Sequence, residues 1–281
     1  MITKFIGSAA SGSSAMLSEG VHSVIDCISQ LLLLWGLHQS QKKADDKRPF
    51  GYGRELYFWS FIVSLMIFTL GGCISFYEGL QKFKDPVVPG DEGWNYIVLA
   101  AAFVFTGISA AASLKTFNKQ RDRVPFWRAI KESKDPATFI VLLGDVGDLL
   151  GLPVAFAGIL LGHLLNNGYY DGGASIVIGM LLILISIVLL RESRSLLMGE
   201  APNKKTLKRI IALAEKDEDV RSIKEHFSIY LAPEEVILQL VTVFKDNLTT
   251  QQITDAIERI SKQIRENFPR IKQIFIEPSA A

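Results

Sequence analysis

Five apolar stretches, at about 16–38, 58–81, 94–117, 136–163 and 172–190, constrain this chain more than any other feature. Each approaches or exceeds the roughly 20 residues a helix needs to cross a hydrocarbon core. In that medium every backbone amide must pair within its own segment, so the stretches are predicted as membrane-spanning helices. Residues 1–10 read as the second half of a further helix, truncated, followed by the uncharged turn Ser11-Gly12-Ser13-Ser14. Their apolar part is too short, and too broken by Gly and Ser, for a signal peptide.

Charge placement predicts the orientation. Lys42, Lys43, Lys47, Arg48 and Arg54 crowd the 39–57 loop, and Lys119, Arg121, Arg123, Arg128, Lys131 and Lys134 the 118–135 loop. Arg191, Arg194, Lys204, Lys205, Lys208 and Arg209 follow the last stretch, while 164–171 has neither Lys nor Arg. Basic loops alternate with non-basic ones, so by the positive-inside rule the basic ones and the C-terminus are cytoplasmic. The formal net charge of +1 gives no argument for a nucleic-acid partner. Two cysteines, Cys27 and Cys73, both in apolar stretches, give no disulfide framework and no zinc-finger spacing.

From residue 204 the pattern changes. Apolar residues at 207, 210, 211 and 214 predict an amphipathic helix. SIKEHFSIYL and VILQLVTVF read as strands around an APEE turn, TTQQITDAIERISKQIRENF as a Thr-capped helix, and IKQIFIEP as a third strand. The order αββαβ implies a small helix-on-sheet domain over 204–278, after a transmembrane domain over 1–195.

Inside the apolar spans stand His22 and Asp26, four apart, and Asp145 and Asp148, three apart. Each pair shares one face of its helix. A charge in hydrocarbon costs at least a few kcal/mol, so such groups should face one another or a water-filled path. At 1.5 Å per residue, Asp26 lies roughly 15 Å below the outer end of its span, and Asp145 and Asp148 roughly 13 and 18 Å above the inner end of theirs. All three therefore fall near the midplane of a core about 30 Å thick. One imidazole and three carboxylates form a donor set for zinc, manganese, iron or cobalt, and the absence of thiolate argues against monovalent copper. The same oxygens can take protons once a metal leaves. Glu19, one turn outward on the face of His22, is a candidate vestibule acid.

SGSSAMLSEGVHSVIDCISQLLLLWGL, followed by RPFGYGRELYFWSFIVSLMIFTLGG, resembles the cation diffusion facilitator family in its zinc-transporter-like branch, and the resemblance extends through the αββαβ tail. It implies a polytopic α-helical membrane protein, a six-helix bundle with its first helix truncated here, followed by a ferredoxin-like cytoplasmic domain. It implies a homodimer in a bilayer that exports a divalent cation, zinc foremost, against protons, with no prosthetic group and no enzymatic reaction. It also implies that the family's His/Asp-x-x-x-Asp pair corresponds to His22 and Asp26, and its partner on a later helix to Asp145. The truncated first helix implies a start further upstream or a fragment. A short chain with few extensions suits a bacterial inner membrane.

Several positions depart from the family pattern. Val141 and Gly144 stand where relatives carry a further ligand, and Asp148 is this chain's own candidate to replace it. The loop reads Arg48-Pro49-Phe50-Gly51 where relatives have His-Pro-Phe-Gly, so no loop zinc site is expected. His226 is read as a surface or packed residue. Arg54 matches a basic position that in some relatives ties the membrane part to the tail, with Glu200 as the candidate partner. Two other classes compete. An intramembrane aspartyl protease would use two buried Asp, but Gly144-Asp145-Val146-Gly147-Asp148 lacks the Gly-x-Gly-Asp spacing. The alternative kept is a non-transporting, metal-sensing scaffold or an inactive fragment.

Overall fold

The computed structural model describes residues 14–84, 86, 93–120, 125 and 134–280, and of residues 14–16, 18, 19, 22, 93–95 and 120 the backbone alone. The predicted partial helix 1–10 lies outside the described residues. The chain forms two compact units. One holds the residues through Gln39 with Glu55–Arg194, the other Ser40–Arg54 with the residues from Ser195 onward.

Five long helices run through the first unit: α1 (Ser14–Ser40), α2 (Glu55–Lys84), α3 (Gly93–Gln120), α4 (Pro136–Leu164) and α5 (Tyr169–Met198). Each covers one predicted span. Among the described residues, four helices are long and apolar enough to cross a membrane: Glu55–Lys84, Tyr96–Lys119, Pro136–Leu164 and Tyr169–Met198. α1 has 27 residues, several of which, among them Glu19 and His22, are described by their backbone alone.

Local chemistry explains several boundaries and bends. Pro136 opens α4 at a position where its missing N–H is no loss. Asp135 caps that turn, accepting from Ala137 N at 3.2 Å and Thr138 Oγ1 at 2.6 Å. In α2, Ile67–Cys73 widens into a π segment. Near its end, Gly71 and Gly72 have no side chain to pack. A Cβ on Gly72 would stand 2.6 Å from Ile183 Cγ1, and one on Gly79 2.6 Å from Ile176 N. These small residues let α2 and α5 approach closely, as helices in lipid do when no hydrophobic effect drives them together. Ser64 Oγ and Ser193 Oγ, both buried, meet across the same pair of helices at 3.4 Å. Gly158 does the same for α4 and α5, since its Cβ would collide with that of Ala174.

The second unit is an αββαβ domain of the ferredoxin-like kind. Asn203 caps α6 (Lys204–Ala214), accepting from Lys205 N at 3.0 Å. β1 (Val220–Ala232) pairs antiparallel with β2 (Glu235–Phe244), and β3 (Ile271–Ser279) lies parallel to β2, in the order β1-β2-β3. Between β2 and β3 runs α7 (Thr250–Asn267), opened by a capping box of Thr249 and Gln252. Leu207 and Ile210 of α6, Leu238 and Leu240 of β2, Ala256 and Ile260 of α7 and Ile271 of β3 share one core. Arg259 of α7 donates to both Asp217 and Asp219, at 2.9 and 2.7 Å, and anchors the helix to the approach of β1.

The 40–54 loop belongs to this unit. Asp45 organises it, accepting from Arg48 N at 2.8 Å and Tyr52 Oη at 2.7 Å. The Tyr52 hydroxyl, with the Arg48 amide behind it, holds the Asp45 carboxyl below its ordinary range. Gly53 sits so close to β1 that a Cβ would stand 2.8 Å from Leu231 O.

Gly158→Ala is expected to lower the thermal unfolding midpoint of the detergent-solubilised protein by several degrees. Gly144→Ala, whose methyl would meet nothing within 4 Å, is expected to leave it unchanged. In the tail, Leu238 is fully buried, and Leu238→Ala is expected to destabilise the 200–281 fragment by about 2–5 kcal/mol in urea titrations followed by circular dichroism.

Candidate metal site

Asp26 lies on α1 with Ser29, Gln30 and Leu33 at the spacing of a single helix face. On α4, Ile140, Val141, Gly144, Asp145 and Asp148 follow the same rule. These two faces, with Phe105, Thr106 and Ser109 of α3 and Ile67 of α2, line an open-sided cavity of about 230 Å³. Ile67 is the first residue of the π segment, so the widened turn of α2 begins at the cavity wall. A water occupies about 30 Å³ in the liquid, so the cavity has room for a cation with several waters.

Sequence reasoning expects His22, Asp26, Asp145 and Asp148 together. The three aspartates do line one cavity. All three are half-buried. The side chain of His22 lies outside the described residues, as does that of Glu19; the backbone places His22 one turn before Asp26 on α1. Among the described residues, no three His, Cys, Asp or Glu side chains are gathered closely enough to hold a metal ion. Val141 and Gly144, which supply no ligand, also line the cavity.

Hydroxyl groups of α3 also reach this site. Ser109 Oγ donates toward both carboxylate oxygens of Asp145, at 3.1 Å each, and Ser113 Oγ donates to Oδ2 at 2.9 Å. Thr106, Ser109 and Ser113 stand at i, i+3 and i+7, a polar stripe on an otherwise apolar span, and that spacing was the available signal. On α1, Ser29 lines the cavity and is 4% exposed, and its buried Oγ has no hydrogen-bond partner among the described residues.

No Lys or Arg is among the described residues that line this space. Carboxylates in an apolar span can take up a cation or protons to offset their charge. Oxygen donors of this kind suit hard or borderline divalent cations.

The second pair behaves differently. Arg54 lies in the tail unit with Glu200. Its Nη2 would stand 3.4 Å from a Cβ on Gly199, the residue before Glu200. Glu200 O accepts from Tyr230 N at 2.9 Å. His226 is exposed on β1.

Residues 1–198 match the family model described as the cation efflux transmembrane domain. The chain is 30% identical over 224 residues to the mouse (Mus musculus) mitochondrial proton-coupled zinc antiporter SLC30A9, covering 79% of this chain and 40% of that protein. It is 24% identical over 278 residues to the manganese efflux system protein MneP of Bacillus subtilis, covering 94% of this chain and 86% of that one. The chain therefore spans less than half the length of the mitochondrial relative. Among solved structures, the C-terminal domain of MamM aligns with 28% of this chain and 98% of its own, at 17% identity and a TM-score of 0.26. With apolar helices that gather carboxylates around one cavity, and a family match over most of its length, the chain belongs to the cation efflux, or cation diffusion facilitator, family of integral membrane transporters.

Proposed function

We propose that this protein exchanges a divalent cation for protons by alternating access, with zinc as the foremost cargo and His22, Asp26, Asp145 and Asp148 as its ligands. The observation that carries the reading is the cavity lined by three aspartates from two apolar helices. Carboxylates in such a site can hold a cation or protons, and the two compete for the same oxygens. Cargo binding on one side and proton uptake on the other then use one set of atoms. The name of the mitochondrial relative, a proton-coupled zinc antiporter, supports the zinc and proton assignment. The name of the Bacillus relative keeps manganese in view, as does a donor set in which His22 brings the only nitrogen.

The cation is cargo in this reading, so no resident cofactor is needed. The protein would work as a homodimer with its tail in the cytoplasm. A bacterial plasma membrane suits the Bacillus relative, which spans nearly the whole chain. The Arg54–Glu200 ion pair is proposed as a brace within the tail unit, on the proximity of Arg54 to Gly199. Glu19 is proposed as a vestibule acid on its place on α1 alone.

Asp26→Asn and Asp145→Asn are each expected to abolish zinc-driven proton movement in proteoliposomes carrying an internal pH dye, while the protein still elutes as a single species in detergent. Wild-type flux in both variants would sink the mechanism. Zinc binding by calorimetry with no flux in the wild type would favour the metal-sensing scaffold.

A further inference from the structure

We infer that Ser109 and Ser113 of α3 are positioning residues that fix the Asp145 carboxylate for the cation. This rests on the cavity being the transport site. A serine or threonine hydroxyl in an apolar helix has a ready acceptor in the carbonyl four residues earlier. This protein uses that acceptor repeatedly: Ser60 donates to Leu56 O at 2.7 Å, Ser64 to Ser60 O at 2.8 Å and Thr116 to Ala112 O at 3.1 Å. Ser109 and Ser113 donate across to α4 instead, and both to one carboxylate.

The two hydroxyls are one turn apart, so they approach Asp145 from two heights. Together they reach both oxygens, which fixes the rotation of the carboxylate plane as well as its position. Hydrogen bonds to an ionised group are about twice as strong as neutral ones. A carboxylate offers about four lone-pair sites, and donors on the α3 side leave the remainder for the cavity. The serines thus determine which face of Asp145 a cation meets.

Their roles differ in one respect. Ser109 lines the cavity, while Ser113 is not among its lining residues. A hydroxyl that donates its proton still has two acceptor lone pairs. Ser109 can therefore hold Asp145 and also offer a neutral oxygen to the cation or its water. Ser113 acts through Asp145 alone. Ser109 consequently bears on the choice of metal, and Ser113 on affinity for every metal alike.

The test measures Zn2+ and Mn2+ transport by the full chain in proteoliposomes, with Zn2+ binding by calorimetry. Ser113→Ala is expected to raise KM about tenfold for both ions, the loss of one hydrogen bond to a charged group, with kcat within about twofold. Ser113→Thr, which keeps the hydroxyl, should restore KM. Ser109→Ala should raise KM and also change the Zn2+ to Mn2+ ratio. In an Asp145→Asn background, Ser113→Ala should add no further loss of Zn2+ binding, because its target has already been altered. Where Ser113→Ala does not reach the membrane, Ser113→Cys, a weak donor of similar size, carries the same expectation. Wild-type KM in both alanine variants, or a full added loss in the Asp145→Asn background, would overturn this inference while leaving the transport reading in place. Wild-type transport by Asp145→Asn would instead remove the transport reading itself.

Discussion

The Asp145 carboxylate, held by two hydroxyls from a neighbouring helix, is the interaction around which the membrane unit is arranged. A carboxylate among apolar side chains must be solvated by something at every moment. In the proposed cycle a bound cation would do this, and protons and fixed donors would do it once the cation leaves. Ser109 and Ser113 are donors that never leave, and they tie α3 to α4 at the depth where the aspartates stand. Without such donors a flexible carboxylate would turn toward whichever polar group was nearest, and the cavity would have no fixed geometry to offer.

The packing around that point uses a different device. Close approach between α2 and α5, and between α4 and α5, depends on glycines whose missing side chains leave room for a neighbouring backbone. Lipid gives no hydrophobic reward for bringing helices together, so contact area per residue matters more than residue size. The tail follows the opposite rule. Its core of Leu207, Ile210, Leu238, Leu240 and Ile260 is built from large aliphatic groups driven out of water. One chain thus joins two units that cohere for different reasons.

That contrast explains what the sequence disclosed. Long apolar runs leave few alternatives, so each predicted span reappears as a helix with ends within a few residues, apart from 172–190, which extends to Met198. In the tail, Thr249 was legible as a cap and α6 as an amphipathic helix because each rests on local chemistry. The placement of Asp26, Asp145 and Asp148 on one cavity followed from depth and helix phase. The serines of α3 were harder to read. A hydroxyl satisfied by its own helix and one donating to another helix look alike in sequence, and only the neighbour's position separates Ser109 from Ser60. The π segment was equally hidden, since Ile67–Cys73 has the composition of any apolar helix. The grouping of the 40–54 loop with the sheet domain depends on Gly53 meeting β1, a long-range contact that no local pattern announces.

A π segment accommodates about one residue more than the α-helix it interrupts, and one residue is worth about 100° of helical phase. Ile67, at the start of this segment, lines the cavity, and Gly79, beyond its end, meets α5. In genetic terms, a single codon gained or lost within this stretch changes which side of the helix faces which neighbour, and leaves the reading of either half intact. A one-residue gap between this chain and a distant relative in α2 therefore belongs at Ile67–Cys73, where the helix has already made room for it.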